Sequence, residues 1–134
     1  MIEDRYARAT AIMESMGNDP TSMATWRRVD PVVGPELDRM LGEFCWGGVW
    51  AGDGLDLRTR RIITLATIAT QGRDGALSGH VKMALEQGFT RREVMEVFLH
   101  LVPYVGFPTA LGAIAVADEV FTKLDEEAGE GITR

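Results

Sequence analysis

Residues 79–108 read GHVKMALEQGFTRREVMEVFLHLVPYVGFP, and the predicted fold is built outward from this stretch. Both histidines of the chain lie in it. Gly88 followed by Phe89 is typical of a helix C-terminus, because glycine adopts the left-handed backbone and the next apolar residue packs back onto the helix. Thr90 with Glu93 three residues later is a capping box, which begins another helix. The stretch therefore predicts two successive helices with a sharp boundary between them.

Apolar residues recur at helical spacing on both sides of this boundary. The first helix is predicted over residues 74–87 and the second from Thr90 to Pro103, where the missing backbone donor makes the helix kink or end. Each helix has one apolar stripe, which faces the core. The stripes are Leu77, Val81, Ala84 and Leu85, and then Val94, Val97, Phe98, Leu101 and Val102.

The rest of the chain also predicts helices. No segment alternates at period two for long enough to be a strand, so the predicted class is all-α, with about six helices in a single domain over residues 1–134. Asp56 is the predicted N-cap of a helix whose residues 62–69 are apolar on nearly all sides, as in a buried central helix. The other predicted segments are helices at 3–16, 35–46, 56–72 and 108–126, short helical pieces at 21–34, a glycine-rich loop at 47–54 and a frayed tail at 127–134.

Composition narrows the class of function. The net charge of -6 argues against a nucleic-acid surface, which carries clustered basic residues. The single cysteine, Cys45, cannot form an internal disulfide. The longest apolar run is well short of the ~20 residues that cross a bilayer, and the charged first residues are unlike a secretory signal. We therefore expect a cytoplasmic protein that binds neither membrane nor nucleic acid.

His80 is the first candidate for chemistry. It lies on the same predicted helix face as Leu77, Val81 and Ala84, so its imidazole is expected at the edge of the core. A partly buried imidazole can move a proton near neutral pH. The alternative is a structural histidine that is hydrogen-bonded in the core, and spacing alone leaves both open.

Glu96, His100 and Tyr104 form a second candidate group. They are spaced by four residues and fall in a narrow helical sector, which we place at the rim of a pocket between helices. A glutamate beside a histidine raises the pKa of the imidazole and fixes its tautomer. Spacing alone favours the alternative, a surface ion pair with a half-buried tyrosine.

Other site types have little support in the sequence. There is no HExxH, no paired HxH, no P-loop, no GxGxxG and no GxSxG, so we expect neither a metal site nor a cofactor. Arg58, Arg60 and Arg61 stand in the first turns of a helix, where positive charge opposes the helix dipole. A carboxylate partner or an anionic ligand would relieve that cost; the alternative is that at least two of them are solvated.

Taken in order, these residues resemble the carboxymuconolactone decarboxylase family. The resemblance covers about two-thirds of the chain. It is carried by residues 43–50 (EFCWGGVW), 54–60 (GLDLRTR), His80-Val81, Ala84-Leu85, Gly88, residues 90–96 (TRREVME) and residues 104–108 (YVGFP).

The resemblance implies an all-helical fold shared with alkylhydroperoxidase D, assembled as a homo-oligomer, either a trimer or a hexamer. It implies cofactor-free loss of CO₂ from a small dicarboxylic lactone in aromatic compound catabolism, with His80 as proton donor or acceptor. We widen the expected substrate to a small lactone or enolisable carboxylic acid, because the sequence departs from the family pattern. Glu96 is predicted as a further catalytic residue, and so is Arg61, which departs from the family pattern and would supply positive charge for a substrate carboxylate. The implied substrate contacts are Trp46, Trp50, His100, Tyr104 and Phe107.

The sequence departs from the family pattern at several positions. Arg61 stands where the family has a glutamate, Gly52 where it commonly has an arginine, and Gly48 where it has an acidic residue. Arg73 and Ala76 occupy the two cysteine positions of the peroxidase branch, so thiol redox chemistry is excluded there. The histidine favours an enzyme, whereas Arg61 favours a changed reaction or a non-catalytic oligomer that binds a small apolar or aromatic ligand.

Overall fold

The computed structural model describes the backbone of residues 4–132 and the side chains of residues 4–129, and over this range the protein is helical with no strand. The predicted all-α class is confirmed. The elements are α1 (Arg5–Ser15), two 3-10 helices (Pro20–Ala24 and Trp26–Arg28), α2 (Val33–Met40), a π-helix (Leu41–Trp50), α3 (Leu57–Gln71), α4 (Asp74–Glu86), α5 (Arg91–Val105) and α6 (Phe107–Ile132).

These elements fall into two compact units, Met1–Arg60 and Arg61–Arg134. The boundary lies within α3, so this helix begins in the first unit and continues in the second. A single domain over residues 1–134 stays a prediction.

In the first unit, α1 packs against the π-helix. Asp4 caps α1 by accepting a hydrogen bond from the Ala7 N–H at 3.0 Å. Gly42 and Gly47 allow the close approach: a Cβ on Gly42 would lie 2.5 Å from the Tyr6 ring, and one on Gly47 would collide with the Arg5 carbonyl. The two helices are therefore in backbone contact at the start of α1.

The π-helix corrects two predictions. The helix predicted at 35–46 begins at Val33 and continues to Trp50, and the predicted loop is wrong for residues 47–50, which are helical. The wider π-turn brings residues five apart onto one side, so Gly42 and Gly47 both face α1. Glycine content predicted a close backbone approach correctly but gave the wrong conformation.

Asp38 organises the segment between α1 and α2. Its buried carboxylate accepts hydrogen bonds from the backbone N–H of Trp26 at 2.9 Å and of Arg27 at 3.1 Å, and from Arg27 Nε at 3.1 Å. These bonds hold the second 3-10 helix against α2. The predicted short helical pieces are confirmed.

In the second unit, α6 packs against both α4 and α5 around one apolar core. The predicted boundary between α4 and α5 is confirmed: Gly88 has φ 104, and the capping box of Thr90 and Glu93 has both of its hydrogen bonds. At the end of the first unit, Asp56 caps α3 as predicted, accepting a hydrogen bond from the Thr59 N–H at 2.7 Å. The buried core residues are Leu65, Ala69, Leu77, Val81, Ala84, Phe89, Val94, Phe98, Ala113, Val116, Ala117 and Val120.

Three predictions in this unit need correction. Residues 62–69 are buried on one side only, since Ile62 and Ile63 are 41% and 48% exposed. Of the two predicted effects of Pro103, the ending is wrong, because α5 continues to Val105 and stops at Gly106, which has φ 88; the kink stays a prediction. The prediction of a frayed tail is wrong for residues 127–132, which continue α6. Residues 133–134 lie outside the described residues. None of the described helices combines the length and apolarity that a bilayer span requires.

Candidate functional site

The centre of the candidate site is the contact between Arg61 on α3 and His80 on α4. Arg61 Nη1 lies 2.7 Å from His80 Nδ1, and Arg61 Nε donates to Gln87 Oε1 at 2.9 Å. Met83 Sδ is 3.9 Å from Arg61 Nη1. Since His80, Met83 and Gln87 are spaced i, i+3 and i+7, one face of α4 presents all three to the guanidinium.

Arg61 is a fully buried cation. Its side chain has 0% exposure, and burial lowers its pKa to about 10, an effect that the Glu86 carboxylate opposes. The guanidinium is therefore still protonated at neutral pH. It also lies beside the last turn of α4, where the negative end of the helix dipole favours a cation. A buried positive charge of this kind attracts an anion strongly, because little water screens it.

His80 is half-buried, as predicted, and it is uncharged at neutral pH. Burial lowers its pKa to about 4, with a further contribution from the positive charge of Arg61. A guanidinium has only donors, so the 2.7 Å contact requires Nδ1 to accept. This assigns the ring proton to Nε2. The pair therefore combines a buried cation with a neutral imidazole that donates from Nε2.

The second candidate group lies on exposed surface. Glu96 and His100 are exposed, Tyr104 is 75% exposed, and the predicted half-buried tyrosine is therefore wrong. The rings of His100 and Tyr104 contact each other, with centroids 5.4 Å apart. At ~100° per residue, Glu96 stands roughly 200° from the buried Val94, so this sector faces away from the core. Phe107, at 64%, is also exposed.

Trp46 and Trp50 belong to the first unit. Both are buried, and their rings pack with centroids 4.6 Å apart. The loop after Trp50 is held by two arginines: Arg8 donates to the Ala51 carbonyl at 3.0 Å, and Arg60 donates to the Gly52 carbonyl at 3.2 Å. Of the three arginines predicted near the start of α3, only Arg58 is exposed, so the solvated alternative is wrong for Arg60 and Arg61.

The remaining nucleophile and metal candidates add nothing to this site. Burial raises the pKa of the Cys45 thiol, which suits an inert side chain. In the part of the chain that the structure describes, no three His, Cys, Asp or Glu side chains come together in a way that could hold a metal ion.

The described residues form an all-helical protein with a buried arginine–histidine pair. Comparison with known proteins gives its family. The model of the carboxymuconolactone decarboxylase family matches residues 35–119. The 4-carboxymuconolactone decarboxylase of Acinetobacter baylyi is 34% identical over 89 residues, 66% of this chain and 66% of that protein. The nitrosuccinic acid decarboxylase of Metarhizium robertsii is 31% identical over 98 residues, 73% of this chain and 68% of that protein.

The chain belongs to the carboxymuconolactone decarboxylase family, so the resemblance seen in the sequence is confirmed. An uncharacterised 15.0 kDa protein of Paracoccus denitrificans is 30% identical over 95 residues, 69% of this chain and 71% of that protein. The match to each of these relatives spans about two thirds of the relative's length. These relationships support the predicted decarboxylase, that is, an enzyme of the carboxy-lyase type.

Two residues of the site, Met83 and Gln87, are not among the predicted site residues. Met83 Sδ lies 3.9 Å from Arg61 Nη1, and Gln87, predicted only as the end of α4, is the hydrogen-bond acceptor for Arg61 Nε. Its position seven residues after His80 places it on the same helix face, and this spacing was the available signal. The contact itself joins residues 26 apart in the chain, which helical periodicity cannot reveal.

Proposed function

We propose that this protein is a decarboxylase that removes CO₂ from a small enolisable carboxylic acid or lactone without a cofactor, at the Arg61–His80 pair. The observation that carries the proposal is the 2.7 Å contact between His80 Nδ1 and the fully buried guanidinium of Arg61. The decarboxylases named among its relatives support the reaction class.

Arg61 binds the substrate in this proposal. A substrate carboxylate loses its hydration when it enters the site, and a buried guanidinium compensates that loss by charge-assisted hydrogen bonding. Arg61 then supplies the positive charge that the family pattern places elsewhere and that Gly52 cannot supply. We therefore expect acids to bind and their esters or amides to bind poorly.

His80 stabilises the negative charge that develops on the substrate and supplies a proton. The bond between the carboxylate carbon and the substrate breaks, CO₂ leaves, and the electron pair moves into the neighbouring carbonyl to form an enolate. The Nε2–H of His80 donates a hydrogen bond to this enolate, which stabilises the charge as it develops. The negative charge also raises the pKa of the imidazole, so His80 passes its Nε2 proton to the substrate carbon and takes up a replacement proton from water. The net reaction consumes one solvent proton for each CO₂ released.

The proposal also includes the other features that were predicted from the sequence. Substrate contacts at Trp46, Trp50, His100, Tyr104 and Phe107, and catalysis by Glu96, rest on the family resemblance alone. A homo-oligomer, trimer or hexamer, and a cytoplasmic location also rest on that resemblance and on composition.

The test is CO₂ release from the two acids that name the relatives, 4-carboxymuconolactone and nitrosuccinic acid. His80→Gln should lower kcat by roughly 10²- to 10⁴-fold, the usual contribution of a positioned acid–base group. Arg61→Met should raise KM for the acid, because the buried positive charge is gone. Lys82→Met, an exposed change on the same helix, serves as the matched control and should behave like the parent.

The non-catalytic alternative makes a different prediction, and Arg61 in place of the family glutamate is the observation that favours it. A parent protein that binds these acids in an Arg61-dependent manner but releases no CO₂ would establish a binding protein. Turnover that survives His80→Gln would instead show that the chemistry takes place elsewhere.

A further inference from the structure

We infer that Gln87 is a positioning residue: its side-chain carbonyl holds the Arg61 guanidinium so that Nη1 meets His80 Nδ1 and fixes the imidazole as its Nε2–H tautomer. The effect of Gln87 on catalysis rests on the proposed function. The effect of Gln87 on the tautomer of His80, exerted through Arg61, does not.

The geometry shows how Gln87 could act through Arg61. The arginine donates from two different nitrogens, Nε to Gln87 Oε1 at 2.9 Å and Nη1 to His80 Nδ1 at 2.7 Å. A guanidinium is rigid and planar, so two bonds from separate nitrogens fix both its position and the orientation of its plane. Loss of the Gln87 contact removes one of these two bonds, so the plane is held less firmly and Nη1 is less well aligned with the imidazole.

Gln87 itself stands on a well-fixed piece of backbone. It is the C-cap of α4, and its N–H donates to the carbonyls of Leu85 and Met83. The next two N–H groups, of Gly88 and Phe89, donate to Leu85 at 3.1 Å and Ala84 at 3.0 Å, and the Phe89 side chain is buried. A rigid helix end of this kind holds an acceptor in place far better than a loop does.

The neutral amide suits the proposed chemistry. Gln87 orients the guanidinium without adding negative charge at that contact, whereas a carboxylate at the same place would form an ion pair with it. The positive charge of Arg61 is then less reduced, and remains available to a bound anion. A glutamine therefore provides orientation while preserving the attraction for a carboxylate substrate.

The test compares variants at the two glutamines of the chain. Gln87 and Gln71 each end a helix immediately before a glycine of positive φ, Gly88 and Gly72, so Gln71→Met is a matched control for Gln87→Met. The readouts are the ring ¹⁵N chemical shifts of His80, assigned with His80→Gln, and the kcat and KM of CO₂ release.

Gln87→Met should convert the single Nε2–H signature of His80 into a mixture of tautomers and lower kcat roughly tenfold or more, as expected for losing a hydrogen bond to a charged group. Gln87→Glu keeps an acceptor at the same reach and should retain the tautomer. Gln71→Met should leave both readouts unchanged.

Gln87→Asn covers the case in which Gln87→Met fails to fold, because its amide is one methylene shorter and should lose the contact in the same way. An unchanged tautomer in a folded Gln87→Met or Gln87→Asn protein would overturn the inference. A tautomer that depends on Gln87 in a parent that releases no CO₂ would support the positioning role and count against the proposed function alone.

Discussion

At the scale of single residues, an arginine next to the histidine changes what the histidine can do. A carboxylate neighbour raises the pKa of an imidazole and produces a cationic acid, whereas burial and the charge of Arg61 lower the pKa of His80 and favour the neutral ring. In the proposed mechanism, His80 therefore starts as a hydrogen-bond donor and becomes an acid only when negative charge develops nearby. The proposed substrate anion at Arg61 would supply part of that negative charge.

The low pKa of His80 also makes stability depend on pH. The imidazole has its ordinary pKa of 6.5 in the unfolded chain and about 4 in the folded protein, so the unfolded state binds more protons between these values. The contribution of His80 to stability is fully present above pH 6.5 and is lost as pH falls to about 4. A pKa difference of this size corresponds to at most about 3 kcal/mol.

Urea unfolding of the parent and of His80→Gln at several pH values between 4 and 8 measures this contribution. Carboxylates that titrate at lower pH affect both proteins alike, so the difference between the two curves isolates His80. The parent should lose more stability than the variant between pH 6.5 and pH 4. Parallel curves over this range would show that His80 is not held neutral in the folded protein.

At the scale of secondary structure, the elements that were predictable are those that local chemistry determines. The Asp56 cap, the Gly88 C-terminus and the Thr90 capping box depend on residues within a few positions of one another, and all three are confirmed. The π-helix was not predictable, because Gly47 is required by the Arg5 carbonyl some forty residues earlier. The Gln87 contact escaped prediction for the same physical reason.

The π-helix leads to a prediction about two adjacent glycines. Gly47→Ala should destabilise the protein by about 3 kcal/mol, because its Cβ would collide with Arg5 backbone atoms, which cannot rotate away as a side chain can. In Gly48→Ala, the Cβ would lie 3.1 Å from the Glu43 carbonyl oxygen, a contact that small shifts relieve. Alanine also favours a helix by roughly 1 kcal/mol over glycine, so this control should be near neutral.

Thermal and urea unfolding of the two alanine variants measure the difference. Near-equal stability of Gly47→Ala and the parent would mean that α1 and the π-helix are not in backbone contact at this point. The comparison is made within one helix, so differences in general helix propensity cancel.

At the scale of the whole molecule, the chain has a net charge of -6, and the described residues also expose many large apolar side chains. In the second unit, Leu99, Tyr104, Phe107 and Leu111 are exposed around the junction of α5 and α6. Single exposed apolar residues are normal, whereas a contiguous apolar patch marks an interaction surface, so we take these four residues as the candidate interface. Sequence periodicity predicted helices here correctly and could not show which of their faces the folded unit leaves uncovered.

We expect the protein to self-associate through this surface at the junction of α5 and α6. Light scattering after size exclusion should give a mass of at least three times the 14.7 kDa of one chain. Leu99→Lys combined with Leu111→Lys should lower that mass, because burying an unpaired ammonium group costs far more than burying leucine contributes. Leu55→Lys changes an exposed leucine of the first unit and should leave the mass unchanged. A parent that runs as a monomer at tens of micromolar would contradict the oligomer, whereas an oligomer that survives the double substitution would move its interface to another face.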